Sequence, residues 1–540
     1  MTRFLGRCFP YQFMKKEVEE ESMETTWNDH NPSQGGEKGI RKYLWIVTNN
    51  PWKRNFLTIF LIYLTAVSSI LRANYLYVDD IRRTADGQGR WFVYSRYLSD
   101  VLAHVIHGGK YLCDIAPLPQ ILAILLLSWG ASCLLCIEEP MHKMQEKKSE
   151  QKIFLTGFSV MPLALFPFYL QCLSYRYDAV YMALSVVCGI FPFCYIEKDW
   201  KKFRIFSFVG ALFMCMTYQA SSGIYPMLLV FCLCCKWNKK ELRKDFFKEM
   251  IWGAMMYLGG LLVFRIFFMK PFETYVSSKV YSISSLISGM ASNYQQYYHT
   301  MRNLSRWQIL LSLFLFGSFI WTYTINSRQK KMFSFFLAIG FLFIESILSL
   351  GMYIILEKTM FLPRTMYGFG FFQTLLAIYV VNHSREIISK IIVIFLGWSY
   401  FVFSFTFGNA LYEQKEYTEN QIILLMNSLD NLDQLNHERN IHITGNIGRS
   451  PILENMIQNG YEILIDLVPY PFGNGWGSNL VLTTYYNCQN LRFSDQANDI
   501  TKMKLLKENQ FFRIYGEGDH LEIVYRNAWK EPINEKRQAD

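Results

Sequence analysis

The sequence has little charge, no cofactor or nucleotide signature, and few cysteines placed to bridge. Asp, Glu, Lys and Arg make up only 18% of 540 residues, against 51% hydrophobic and 17% aromatic. The charge that exists is gathered in the tails and short connecting segments, and apolar runs long enough to span a bilayer recur between them. There is no Walker loop, dinucleotide fingerprint, HExxH, zinc-ligand spacing or nucleophile elbow, which removes the enzyme classes that those motifs announce. Of 12 cysteines most lie inside apolar runs, including Cys133 and Cys136 and the cluster Cys232, Cys234 and Cys235; these read as small packing residues. Only Cys113 and Cys488 fall in expected outside segments, too few for a disulfide framework. No cleavable signal is visible: the first apolar run lies behind a polar tail and is long enough to remain as an anchor. No internal repeat stands out.

A net charge of +10 raises the question of nucleic acid, but the basic residues cluster in alternate loops between spans, as the positive-inside rule expects. No nucleic-acid partner is implied. The mean hydropathy of +0.10 is low for a chain that is membrane throughout. The polar region from about Tyr412 accounts for this as a soluble part.

The class expected is therefore an all-α polytopic membrane protein with a small C-terminal extracytoplasmic α/β domain. Apolar runs place spans at about 55–72, 118–137, 153–173, 179–196, 205–218, 222–235, 250–268, 307–325, 332–356, 366–382 and 388–408, about eleven in all. Pro162 and Pro167 should kink or break the third. The pair within 205–235 is short for spanning. An odd count puts the N-terminus in the cytoplasm and the C-terminus outside the cell membrane. The chain then has three regions: a cytoplasmic polar tail over 1–54, a transmembrane body over 55–410 with outside loops 73–115 and 270–305, and the soluble domain over 411–540. In the first loop, Tyr94 to Val105 recur at helical spacing as an interfacial amphipathic helix. In the C-terminal region, a helix is expected at about 416–436 and another from Ser450-Pro451. Strands are expected at 440–444, 461–468, 479–486, 511–515 and 521–526, the last two joined by a Gly516–Asp519 hairpin.

Candidate chemistry gathers at the outside exits. Two adjacent carboxylates, Asp79 and Asp80, follow the first span in Tyr77-Val78-Asp79-Asp80, with Arg82 and Arg83 behind them. Ionisable groups beside a span are functional candidates by default. Arg96, Arg176 with Asp178, Gln219 and Arg364 stand at later exits. A carboxylate can take the proton of a sugar hydroxyl. Arginines beside it can hold a lipid-linked phosphate and stabilise it as it leaves. The plainer readings are a solvated acidic turn, an Arg176–Asp178 pair at a helix end, an interfacial anchor at Arg364 and an interhelical hydrogen bond at Gln219. His104 and His107 read as interfacial polar residues rather than metal ligands. Trp476, in the glycine-rich stretch Pro469–Gly477, is either a sugar platform or a buried packing residue.

These segments resemble the Gtr-type (type II) glucosyl transferase family, integral-membrane enzymes that decorate bacterial surface polysaccharides such as O-antigen. The resemblance is carried by Tyr77-Val78-Asp79-Asp80, Ser95-Arg96-Tyr97-Leu98-Ser99, Ala116-Pro117-Leu118-Pro119-Gln120, Leu173 to Asp178, Tyr218-Gln219-Ala220 and Pro363 to Gly370, in order over roughly 50–410. Ser95-Arg96-Tyr97 departs from the Gly-Arg-Pro expected there. The resemblance implies a GT-C fold and transfer of a hexose, glucose first, from a polyprenyl-phosphate donor to a surface glycan at the extracytoplasmic face. It implies partner proteins that make and flip the donor. Asp79 or Asp80 would be the base, with Asp80 the narrower favourite because Asp79 lies closer to the span. Arg96, Arg176 and Arg364 would contact phosphate or acceptor, and a divalent cation is possible at the paired carboxylates. The rival readings are a transporter or flippase, or a polymerase, of lipid-linked glycans. A transporter should carry charges near the midplane and often inverted repeats, and neither is evident here.

Overall fold

A computed structural model describes residues 51–138, 150–270, 278–470, 472–473, 476–494 and 496–528. Residues 1–50 of the expected tail, most of the segment between the second and third expected spans, and 271–277 of the second outside loop fall outside what can be described. The chain divides into two compact units, Met1–Arg54 and Asn55–Asp540, and the second carries the helical body and the sheet.

Helices dominate the described residues from Pro51 to Asn431. In chain order they are α1 (Pro51–Ala73), α2 (Asp79–Asp86), α3 (Tyr97–Ile106), α4 (Leu118–Glu138), α5 (Glu150–Leu165), α6 (Pro167–Ser174), α7 (Ala179–Ile190), α8 (Trp200–Thr217), α9 (Ile224–Asn238), α10 (Lys244–Val263), α11 (Leu286–Met301), α12 (Arg306–Ile325), α13 (Lys331–Leu348), α14 (Gly368–His383) and α15 (Ile387–Asn431). Among the described residues, seven stretches are long and apolar enough to cross a membrane, at 52–73, 118–137, 219–238, 244–268, 306–325, 331–348 and in 387–431. An eighth joins α5 and α6, which meet at a 62° bend. The bend falls where Pro167, at the first position of α6, ends the preceding ladder, as the two prolines led us to expect. Helices also lie at the remaining expected spans, but α7, α8 and α14 are too short or too polar to meet the same test. α14 explains why length is a poor guide here: it is buried along nearly its whole course, so protein surrounds it on all sides.

Close backbone approach sets the geometry. A Cβ at Gly260 of α10 would lie 2.5 Å from the Phe208 carbonyl of α8. A Cβ at Gly408 of α15 would lie 2.5 Å from the backbone of Ser69 on α1. At that second crossing Ser69 donates to the Ser404 carbonyl (2.9 Å) and Ser404 to the Ala66 carbonyl (2.9 Å), a reciprocal pair suited to helices with no water between them.

The C-terminal region carries a five-stranded sheet in the order β2-β1-β5-β4-β3, where β1 is Arg439–Thr444, β2 Leu491–Phe493, β3 Lys504–Glu508, β4 Phe512–Glu517 and β5 His520–Tyr525. β1 pairs in parallel with β2 and β5, and β3–β4–β5 form an antiparallel meander. Gly518, with φ +58°, turns the last hairpin. The sheet has its own core of Ile441, Ile443, Phe512, Ile514 and Ile523 against Ile422, Leu425 and Leu429 of α15. α15 runs unbroken for 45 residues where a break before 416 was expected. No proline interrupts it, and its buried face continues from Gln414 through Gln421, Leu425 and Ser428 onto the sheet.

Two expected strands are helical instead. Segment 461–468 forms the turn α17 (Leu464–Leu467) after α16 (Pro451–Gln458). Segment 479–486 continues α18 (Trp476–Leu480) as a π-turn over Val481–Tyr485. Short apolar runs do not distinguish strand from helix. Here the first run buries Ile463, Leu464 and Leu467 in the core of the helical body rather than beside the sheet.

Candidate active site

The turn between α1 and α2 is built against local preference. Val78, which precedes the acidic pair, has φ 25° and ψ −86°, a conformation that a β-branched residue rarely adopts. Asn74, Arg90 and Ser95 also have positive φ, so four of the eight such non-glycine residues in the described chain fall between 74 and 95. Strain of this density is characteristic of sites that the surrounding structure holds in place.

The two carboxylates lie in different environments. Asp79 begins α2 and is half-buried. Asp80 is fully buried, and its Oδ2 accepts the backbone N–H of Tyr77 (3.2 Å) and of Arg176 (3.1 Å). Its Oδ1 has no hydrogen-bond partner among the described residues. Burial pushes the Asp80 carboxyl up to about 8, opposed by the nearby Arg83 charge and the Arg176 N–H.

Behind α2, Arg83 pairs with Asp178, and the Trp91 indole donates to the same carboxylate. Arg83 also stacks on the Trp91 ring at 4.8 Å. Asp178 is thus held by Arg83 and Trp91, and Arg176 does not pair with it, contrary to the plain helix-end reading. Arg176 is buried, with Nε to the Tyr75 carbonyl (3.3 Å) and its two Nη groups to Asp114 and Asn74. It therefore fastens α1, the loop before α4 and the α6–α7 turn together.

Arg96 and Arg364 differ from these. Among the described residues neither makes an ion pair, and both are half-buried over tyrosine rings. Arg96 lies 4.5 Å from the Tyr218 ring centroid and 5.4 Å from that of Tyr94, and its Nε donates to Gln219 Oε1 (3.2 Å). Gln219 in turn donates to the Tyr94 carbonyl (3.1 Å), so it orients the arginine. Arg364 lies 5.2 Å from the Tyr175 ring and donates to the Tyr175 hydroxyl. Tyr218 donates to the Arg364 carbonyl (3.2 Å), and the Tyr175 and Tyr77 rings meet at 4.6 Å. One continuous set of contacts therefore runs from Arg96 through Tyr218, Arg364, Tyr175 and Tyr77 to the acidic turn.

Gln171 in the middle of α6 joins three parts of this set. Its amide donates to the Tyr77 hydroxyl (2.7 Å) and to the Asp466 carbonyl (3.1 Å), and its oxygen accepts the Arg364 N–H (2.6 Å). Tyr77 donates to the Leu467 carbonyl and Tyr75 to that of Pro469 (2.5 Å). Tyr485 donates to the Ile81 carbonyl within α2 (3.2 Å). The C-terminal region is thus fastened directly to the acidic turn.

The remaining candidates are more peripheral. Arg82 is exposed and lies 3.8 Å from Asp86. Trp476 opens α18, and its side chain lies outside what can be described. His104 and His107 bond to the Gly109 and Cys113 carbonyls, and His107 stacks on Tyr177. Among the described residues no three His, Cys, Asp or Glu side chains are grouped to hold a metal ion. Sequence reasoning did not select Gln171, Tyr175 and Tyr218 as site residues, although Tyr175 and Tyr218 stand directly beside Arg176 and Gln219. Gln171, a polar residue within an apolar run, was the available signal for the third.

The family model described as glucosyl transferase GtrII matches residues 68–375, which is more than half of the chain and includes Arg83, Arg96, Arg176 and Arg364. An uncharacterised 55.3 kDa protein from the gtrB 5′ region of Salmonella phage P22 is 25% identical over 497 residues, covering 89% of this chain and 95% of the phage protein. No solved structure matches significantly.

Proposed function

Since the chain belongs to the GtrII glucosyl transferase family, we propose that it transfers glucose from a polyprenyl-phosphate donor to a surface polysaccharide at the extracytoplasmic face of the cell membrane. The observation that carries this reading is the pair Arg96 and Arg364, two guanidinium groups with no carboxylate partner among the described residues, linked through tyrosines to Asp79 and Asp80. A dianionic phosphate leaving group needs cations of this kind, and arginine supplies forked donors that match it.

In the step we envisage, an acceptor hydroxyl attacks the anomeric carbon, the bond from that carbon to the phosphate oxygen breaks, and the hydroxyl proton passes to a carboxylate. Polyprenyl phosphate leaves with the bond's electron pair, and its charge is met by Arg96 and Arg364. A single displacement of this kind inverts the anomeric centre. Asp79 fits the role of base because it is half-buried and open to a substrate. Asp80, fully enclosed and bonded to two backbone N–H groups, fits that of positioning residue. Arg83, Arg176 and Asp178 then hold the site's frame, and Gln219 aims Arg96.

The test is transfer in membranes from polyprenyl-phosphoglucose to glycan. Asp79→Asn is expected to lower kcat by about 10²–10⁴-fold with little change in KM. Arg96→Ala and Arg364→Ala are expected to raise the donor KM about tenfold or more. Undiminished transfer by Asp79→Asn would remove the base assignment.

A further inference from the structure

A groove lies apart from the acidic turn, in the C-terminal region beyond the family match. Between α15 and the sheet is a groove of about 490 Å³, lined among others by Tyr417, Gln421, Asn446, Gln510, Tyr525 and Asn527. Its size suits a ligand of several rings. Among the described residues no Asp, Glu or Lys lines it, and the one charged lining residue, Arg526, is exposed. The lining is thus amide and phenol, with Phe511 adding an aromatic face.

The Tyr525 hydroxyl is the telling feature. Tyr525 is 2% exposed, and its oxygen has no hydrogen-bond partner among the described residues. A buried hydroxyl without a partner is costly to the fold unless something satisfies it. The neighbouring backbone is firmly held. Gln414 donates to the Gly448 carbonyl (3.1 Å) and accepts the Ser450 N–H (2.9 Å), while Asn527 Nδ2 donates to Asn446 Oδ1 (2.7 Å). The groove is therefore preformed.

We infer that this groove binds a neutral glycan segment, as a holding site for the acceptor chain at a distance from the bond being made. Amides offer a donor and an acceptor to adjacent sugar hydroxyls, and aromatic rings cover the apolar face of a pyranose. Among the described lining residues there are no carboxylates and a single exposed cation, which favours an uncharged ligand over an anion. The inference rests on the proposed glycan acceptor and extends it to a separate place on the chain.

The full-length protein in lipid nanodiscs is titrated with neutral hexasaccharides (maltohexaose, cellohexaose, and mannose and galactose counterparts) and with an uncharged Ser/Asn/Gln hexapeptide. We expect a glycan to bind, Tyr525→Phe to weaken it about fivefold, and Tyr525→Phe with Gln510→Ala to weaken it tenfold or more. The melting temperature of Tyr525→Phe should be unchanged or higher, because that substitution removes only an unsatisfied hydroxyl. Binding of the peptide in place of glycan, binding of no probe, or glycan binding indifferent to both variants overturns the inference. Asp79→Asn, carried alongside, should bind glycan as the parent does. If it also transfers sugar as the parent does, the catalytic assignment fails and the groove stands. If only the groove variants are silent, the groove fails and the assignment stands.

Discussion

At the scale of residues, two neighbouring carboxylates divide between solvent and interior. Asp80 ionises in the unfolded chain near pH 4 but is held neutral in the fold up to about 8. Between those values the native state binds the additional proton, so this group's contribution to stability is full below pH 4 and is lost as pH rises toward 8. Thermal melts in detergent should therefore fall from pH 5 to pH 8, and Asp80→Asn should flatten that slope. An unchanged slope would mean that Asp80 is not the titrating group. A different result is expected at Asp178. Asp178→Asn leaves the Arg83 charge buried without its partner, at a cost of about 3–5 kcal/mol. The melting temperature should drop sharply at every pH and salt concentration, and a drop confined to low salt would contradict a buried pair.

The residue scale was only partly legible in the sequence. Charges beside apolar runs marked Asp79, Asp80, Arg96, Arg176 and Arg364 as residues with work to do. Which of them have ion-pair partners could not be read, because the partners are distant: Asp114 for Arg176 lies 62 residues away, and Asp178 for Arg83 lies 95 away. Adjacency in sequence suggested Arg176 with Asp178, and the fold pairs each with something else.

At the scale of elements, the acidic turn is clamped between α6 and the α17 turn. Tyr77 sits at the centre of that clamp, accepting from Gln171 and donating to the Leu467 carbonyl. Tyr77→Phe leaves a buried carbonyl and a buried amide short of a partner, costing about 1–3 kcal/mol. It should also lower kcat, because α2 carries the carboxylates. Kinetics beside a melting curve check this: loss of stability with full kcat would show that the clamp is structural only. The element pattern was legible where periodicity is long and failed where it is short. Long apolar runs located helices throughout the body. The run at 461–468 looked like a strand because alternation over so few residues fits either form. What decides it is tertiary: Ile463, Leu464 and Leu467 bury into the helical body, beside the residues that they help to hold.

At the scale of the whole molecule, α15 links the two halves of the design. It crosses α1 closely at Gly408 and Ser69, then continues as the helix on which the C-terminal sheet packs. The acidic turn follows directly from α1, so the crossing and the Tyr75 and Tyr77 bonds tie the C-terminal region to the site from both sides. Composition pointed to a body of apolar helices and a more polar C-terminal part, where the structure has candidate spans and a small sheet, since mean hydropathy and charge are averages over large segments. It could not foresee that the C-terminal region reaches the acidic turn, which depends on single hydrogen bonds between residues about 390 positions apart.

A transferase breaks the bond between sugar and phosphate, whereas a carrier moves the lipid intact. The measurement that separates them follows glucose-labelled polyprenyl phosphoglucose mixed with surface polysaccharide and the purified full-length protein in proteoliposomes. A transferase of this design puts label on the polysaccharide and releases free polyprenyl phosphate in equal amounts, and Asp79→Asn lowers both together by about 10²–10⁴-fold. Passage of intact labelled lipid between leaflets, with no label on the polysaccharide and no phosphate released, would contradict it.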